Sequence, residues 1–95
     1  MRVFVTWEFA TEDIDKLVAK EMKYRELVKQ HPEKYPRNVV QVHMVDRNKA
    51  ISIWDVDNQD QIINKLIYMM PEGKATIIPV YESADFIKSY MGSKK

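Results

Sequence analysis

Apolar and polar positions alternate from the first residues. Val3, Val5 and Trp7 interleave with Phe4, Thr6 and Glu8, and this period of two over β-favouring side chains predicts a strand over residues 2–8. The period then lengthens. Thr11 stands where a helix N-cap belongs, Glu12 and Asp13 occupy the electropositive first turn, and Ile14, Leu17, Val18, Met22, Leu27 and Val28 recur at helical spacing. Glu12–Lys16 and Glu21–Arg25 are acid-first pairs four residues apart, the better orientation on a helix. Pro32 ends this helix near Gln30, because a residue before proline avoids helical angles.

Two prolines mark 31–38 as a loop. Residues 39–45 and 50–56 read as strands joined by the turn 46–49, a β-hairpin. Asp57 or Asn58 caps a second helix whose apolar stripe is Ile62, Ile63, Leu66, Ile67 and Met70, and Pro71 and Gly73 stop it. Residues 75–81 form a fourth strand, in which Pro79 implies an edge position or a bulge. Ser83 can cap a short final helix carrying Phe86, Ile87, Tyr90 and Met91.

The order β-α-β-β-α-β plus a terminal helix predicts an α+β fold of the ferredoxin-like kind. Right-handed crossovers fold both helices onto one face of a four-stranded antiparallel sheet. At 95 residues the chain forms one domain, expected over 1–91, with 92–95 as a flexible tail. Surface scaling predicts roughly 5,700 Å² exposed once folded.

Composition narrows the function classes. Fifteen Lys and Arg against fourteen Asp and Glu leave a net charge of +1, far from the basic excess of a nucleic-acid module. The absence of cysteine excludes disulfides, thiolate zinc sites and a cysteine nucleophile. Two glycines cannot build a glycine-rich phosphate loop. Asp55, Asp57 and Asp60 lack the glycine and the later bidentate Glu of a calcium loop, and His31 and His43 form no metal-ligand motif. No apolar run approaches a membrane span or the hydrophobic region of a signal peptide, so the expectation is a cytoplasmic protein without membrane, nucleic-acid or cofactor partners.

Two helices leave one sheet face uncovered. Strand parity is read as placing Val3, Val5, Ile51, Ile53, Ile78 and Val80 under the helices. Phe4, Thr6, Ser52, Trp54, Ile77 and Tyr81 then fall on the open face. In the second strand Gln41, His43 and Val45 are placed on the open face, and Val40, Val42 and Met44 inside. Large apolar side chains on an open face mark an interface, so a homodimer packed sheet against sheet is expected. The alternative cover is the chain's own C-terminal helix.

The opening Met1-Arg-Val-Phe-Val-Thr-Trp7 resembles the Met-Lys-x-x-Val-Thr-Trp start of an uncharacterised family of small prokaryotic proteins, with Arg2 in place of the lysine. His43 in the second strand, Asp55 late in the third and Ile78-Pro-Val80 in the fourth extend the resemblance over most of the chain. That family is grouped with the dimeric α/β-barrel superfamily, which the resemblance implies for this chain. Relatives there include cofactor-free monooxygenases, heme-degrading oxygenases, small lactone isomerases and ligand-sensing domains. Heme-degrading relatives take an axial histidine from the second-helix region, and Ile62 to Met70 contains none, which argues against heme.

The candidate site follows. Phe4, Thr6, Gln41, Ser52, Trp54 and Tyr81 would line a partly apolar pocket for a small molecule, with His43 as candidate general base. Three readings stand at this point: a homodimeric small-molecule binder, a cofactor-free monooxygenase- or isomerase-like enzyme, and a non-catalytic dimerisation or interaction module.

Overall fold

The computed structural model describes residues 1–94. It is an α+β fold with strands β1 (Arg2–Glu8), β2 (Arg37–Asp46), β3 (Lys49–Asp55) and β4 (Lys74–Pro79), and helices α1 (Ile14–Gln30), α2 (Gln59–Met69) and α3 (Ser83–Ser93). The four strands form one antiparallel sheet in the order β2-β3-β1-β4, compatible with a ferredoxin-like arrangement. Short 3-10 turns precede α1, at Thr11–Asp13, and follow it, at Pro32–Lys34.

Local chemistry sets the start of α2, while α1 and α3 begin without a side-chain cap. Asn58 is extended and its side-chain oxygen accepts from the Gln61 N–H at 3.1 Å, satisfying one orphan donor at the start of α2. At the start of α1 the expected Thr11 cap is replaced by the 3-10 turn, and neither Ala10 nor Asp13 makes a side-chain capping bond. The segment before α3 behaves likewise, with Glu82 rather than Ser83 at the N-cap position. α3 runs through Ser93, so 92 and 93 are helical and not the expected tail; Lys95 lies outside the described residues.

The core lies between the sheet and the α1–α2 layer. Val3, Val5 and Trp7 from β1, Ala50 and Trp54 from β3, Val56, Leu17 from α1 and Met69 from α2 form one buried cluster. Burying each large side chain contributes about 1.5–3 kcal/mol relative to leaving it in water. Both helices are rotated from the orientation their apolar stripes suggest. In α1, Leu17 and Tyr24 are buried while Val18 and Met22 are exposed; in α2, Gln61, Lys65 and Met69 face inward while Ile67 is exposed.

The inward polar groups of α2 are paired. The Gln61 side chain accepts from the Asp57 N–H at 2.8 Å and donates to the Glu33 carbonyl at 3.1 Å. The Lys65 ammonium sits 3.3 Å from the Tyr24 ring centroid and 3.3 Å from Glu21 Oε2. Burial pushes the Lys65 ammonium below its ordinary value, partly offset by Glu21, and pushes the Tyr24 phenol up.

Pairing across the sheet fixes the two faces and corrects the parity of β3 and β4. Val3 lies opposite Trp54, Val5 opposite Ser52 and Trp7 opposite Ala50, all on the helix side. Ser52 and Trp54 therefore lie in the core, and Ile51 and Ile53 take the open face. In β4, Ile77 lies opposite Val5 and Ile78 opposite Phe4, so Ile77 faces the helices and Ile78 does not. The ambiguity is physical: both parities of β3 are apolar, and the small Ala50 and Ser52 share the space under the helices with two tryptophans.

Candidate functional site

Four rows of side chains cross the open face, each set by cross-strand register. The first is charged: Arg37 on β2, Asp55 on β3 and Arg2 on β1 stand side by side. The second is apolar, with Val40, Ile53, Phe4 and Ile78 in line across all four strands. The third is mixed: His43, Ile51, Thr6 and Thr76. The fourth is charged again, with Asp46, Lys49, Glu8 and Lys74 alternating in sign.

The charged rows are self-neutralising. Arg2 meets Asp55 in a two-pronged pair, Nε to Oδ1 at 2.8 Å and Nη2 to Oδ2 at 3.2 Å. Arg37 grips Asp57 in the same way at 2.8 and 3.2 Å. These guanidinium bonds hold both carboxyls below the usual carboxylate range. Lys49 approaches Glu8 at 3.9 Å at the opposite end. Between these rows the floor is apolar with a polar margin.

His43 reaches the open face, opposite Ile51, as its strand position predicts. Its Nδ1 is 2.6 Å from the Gln41 carbonyl oxygen. A carbonyl can only accept, so Nδ1 carries the hydrogen, and the neutral ring keeps its lone pair on Nε2. The ring is solvent-exposed, with Ile51, Thr6 and Thr76 completing its row.

The other sequence-derived candidates divide. Phe4 and Thr6 lie half-buried on the open face, as expected. Gln41 is exposed and sits where β2 shifts register between Val40 and His43, its side chain accepting from Asn38 at 3.2 Å. Ser52 and Trp54 are corrections: both are buried on the helix side and cannot line an open-face pocket. Tyr81 falls beyond β4 and is 79% exposed, away from any strand register. Val40 is a further correction, since it pairs with Ile53 and joins the open face. Register shifts along β2 defeat a strict period of two there.

The residues missed are Val40, Ile51, Ile53, Thr76 and Ile78. A usable signal was present in β3, where Ala50 and Ser52 are too small to fill an exposed apolar patch but suit a site pressed by helices.

A groove of about 520 Å³ lies away from the open face, on the helix side between the Pro32–Lys34 turn and α2. There Asn64 donates to the Lys34 carbonyl at 2.9 Å, and Gln61 holds Glu33, so its amides fasten the turn to α2. Among the described residues no group of three or more His, Asp or Glu is placed to hold a metal ion, and no helix is long and apolar enough to cross a membrane. Compared with family models, curated proteins and solved structures, the chain matches none.

Proposed function

We propose that the chain forms a homodimer, two sheets face to face in the manner of a dimeric α/β barrel, and holds a small, partly apolar molecule between them. The observation that carries this reading is the row Val40–Ile53–Phe4–Ile78, an apolar strip across the whole sheet with Thr6, Thr76 and His43 along one side. An apolar floor with few polar groups is the composition of a small-molecule site, and the row, half-buried at Val40, Ile53 and Phe4 and exposed at Ile78, calls for a cover. The resemblance of Met1–Trp7 to the small prokaryotic family supports the same assembly.

A second reading is favoured by one specific contact. The bond from His43 Nδ1 to the Gln41 carbonyl leaves Nε2 free as an acceptor, the arrangement of a general base in an isomerase- or monooxygenase-like reaction. The non-catalytic interaction module is the third reading, and it needs no pocket at all.

Native mass spectrometry of freshly purified protein, combined with titration by the apolar dye anilinonaphthalene sulfonate, separates these readings. A dimer that carries small-molecule mass or binds the dye saturably supports the pocket. Thr6→Phe, which fills the floor, should then abolish dye binding while the protein stays dimeric. A dimer that neither carries mass nor takes up dye leaves an interaction module and contradicts the pocket. His43→Ala should leave dye binding intact, since the floor rather than the imidazole supplies the contact.

A further inference from the structure

α3 is an amphipathic helix with nothing against it. Phe86, Ile87, Tyr90 and Met91 are each about half exposed or more, and the Phe86 and Tyr90 rings stack with centroids 6.1 Å apart. Asp85, Lys88 and Ser89 take the other positions. No residue of α3 is buried, and no other element of the described chain packs on it. At 11 residues it is shorter than the roughly 12–15 that an isolated helix needs to hold together in water, so it requires a surface.

We propose that α3 docks on the open sheet face of a second copy of this chain, so that two chains exchange their C-terminal helices. The inference rests on the homodimer reading and deepens it by naming what closes the interface.

Area argues for this occupant. The folded chain exposes 7020 Å², about 1,300 Å² more than the roughly 5,700 Å² expected of a compact monomer of this mass. Its radius of gyration is 15.6 Å, against about 12.4 Å for a compact chain of this length. A standard interface buries about 800 Å² per partner. The excess of about 1,300 Å² exceeds what one partner of such an interface buries, leaving room for both the sheet face and α3 in the contact. Each chain then donates one helix and receives one, which closes under a two-fold axis with neither surface left over. The placement is continuous with the face, because Ile78 of the apolar row lies five residues before α3 begins. An anionic lipid surface fits less well: Asp85 and Lys88 balance within α3, where a lipid-binding helix carries a basic cluster.

The chain lacks cysteine, so engineered thiols report cleanly. Single variants on α3 (Ile87→Cys, Met91→Cys) and on the open face (Thr6→Cys, Ile78→Cys) are purified separately, mixed in α3–face pairs and oxidised, alongside the matching double variants that carry both cysteines in one chain. The expected result is a disulfide-linked pair of chains in at least one mixture, and at least a tenfold loss of dimer affinity on truncation after Glu82. A bond forming only when both cysteines sit in one chain shows that α3 covers its own sheet and overturns the exchange. Linking of α3 thiols to Val18→Cys on α1, but not to the face, overturns it as well. If the protein is dimeric yet no mixture links and truncation changes nothing, the exchange falls while the sheet-to-sheet dimer stands. A monomer at all concentrations removes both.

Discussion

Trp54 packs against Trp7 beneath the helices, ring centroids 6.2 Å apart and planes inclined at 53°, while its neighbour Ile53 lies on the opposite face of the same strand. One strand thus sends alternate side chains to the core and to the open face. Trp54 is 2% exposed, and truncating a buried tryptophan leaves a cavity that helices and sheet cannot close. Trp54→Ala is expected to cost about 3–5 kcal/mol in chemical denaturation. A near-neutral result would place the indole outside the core.

Ile53→Asp makes the complementary change. A carboxylate at the centre of the apolar row is expected to weaken the dimer at least a hundredfold, about 3 kcal/mol, by leaving an unpaired charge between two sheets. Sedimentation velocity reads the association, and circular dichroism shows that the helices and sheet remain. Unchanged association would remove this face from the interface.

Ser52 lies opposite Val5, fully buried, and its hydroxyl has no hydrogen-bond partner among the described residues. An unmade hydrogen bond in the core is costly, so Ser52→Ala should leave stability unchanged or raise it by about 1 kcal/mol. A loss of that size in urea unfolding would mean that the hydroxyl has a partner after all.

These residues show what was legible in the sequence. The strand and helix order followed from periodicity and the end of α1 at Gln30 from Pro32; of the two cap candidates for α2, Asp57 and Asn58, the structure uses Asn58. β1 was read with the correct parity because its alternation has only one charged-free phase, Val3-Val5-Trp7. β3 was not, because hydrophobicity favours Ile51 and Ile53 inward while packing against β1 and the helices selects Ala50, Ser52 and Trp54. The same limit hid Lys65, whose burial depends on the Tyr24 ring and Glu21 arriving from α1. His43, Phe4 and Thr6 were legible at the candidate site; the isoleucines that make its floor were not.

Stability should fall at both ends of the pH scale for different reasons. Asp55 and Asp57 have carboxyls lowered by Arg2 and Arg37, and Glu72 is lowered by Lys20. Below about pH 4 the unfolded chain takes up protons that the folded chain still excludes, so their contribution, present above that value, is lost as pH falls through the folded values. Tyr24 is raised by burial, so above about pH 10 the unfolded phenol ionises while the folded one stays neutral, and stability falls as pH rises. Asp55→Asn should flatten the acid limb and Tyr24→Phe the alkaline one in thermal melts across pH. Limbs identical to those of the parent would contradict these assignments.

The central claim is that the open sheet face is covered by a second copy of the chain. Sedimentation equilibrium of the unmodified protein over a range of micromolar concentrations tests it most directly. The account predicts a species of twice the 11.3 kDa chain mass that dissociates only on dilution or in Ile53→Asp. A single 11.3 kDa species across the range, with the row Val40–Ile53–Phe4–Ile78 still open to solvent, would contradict it.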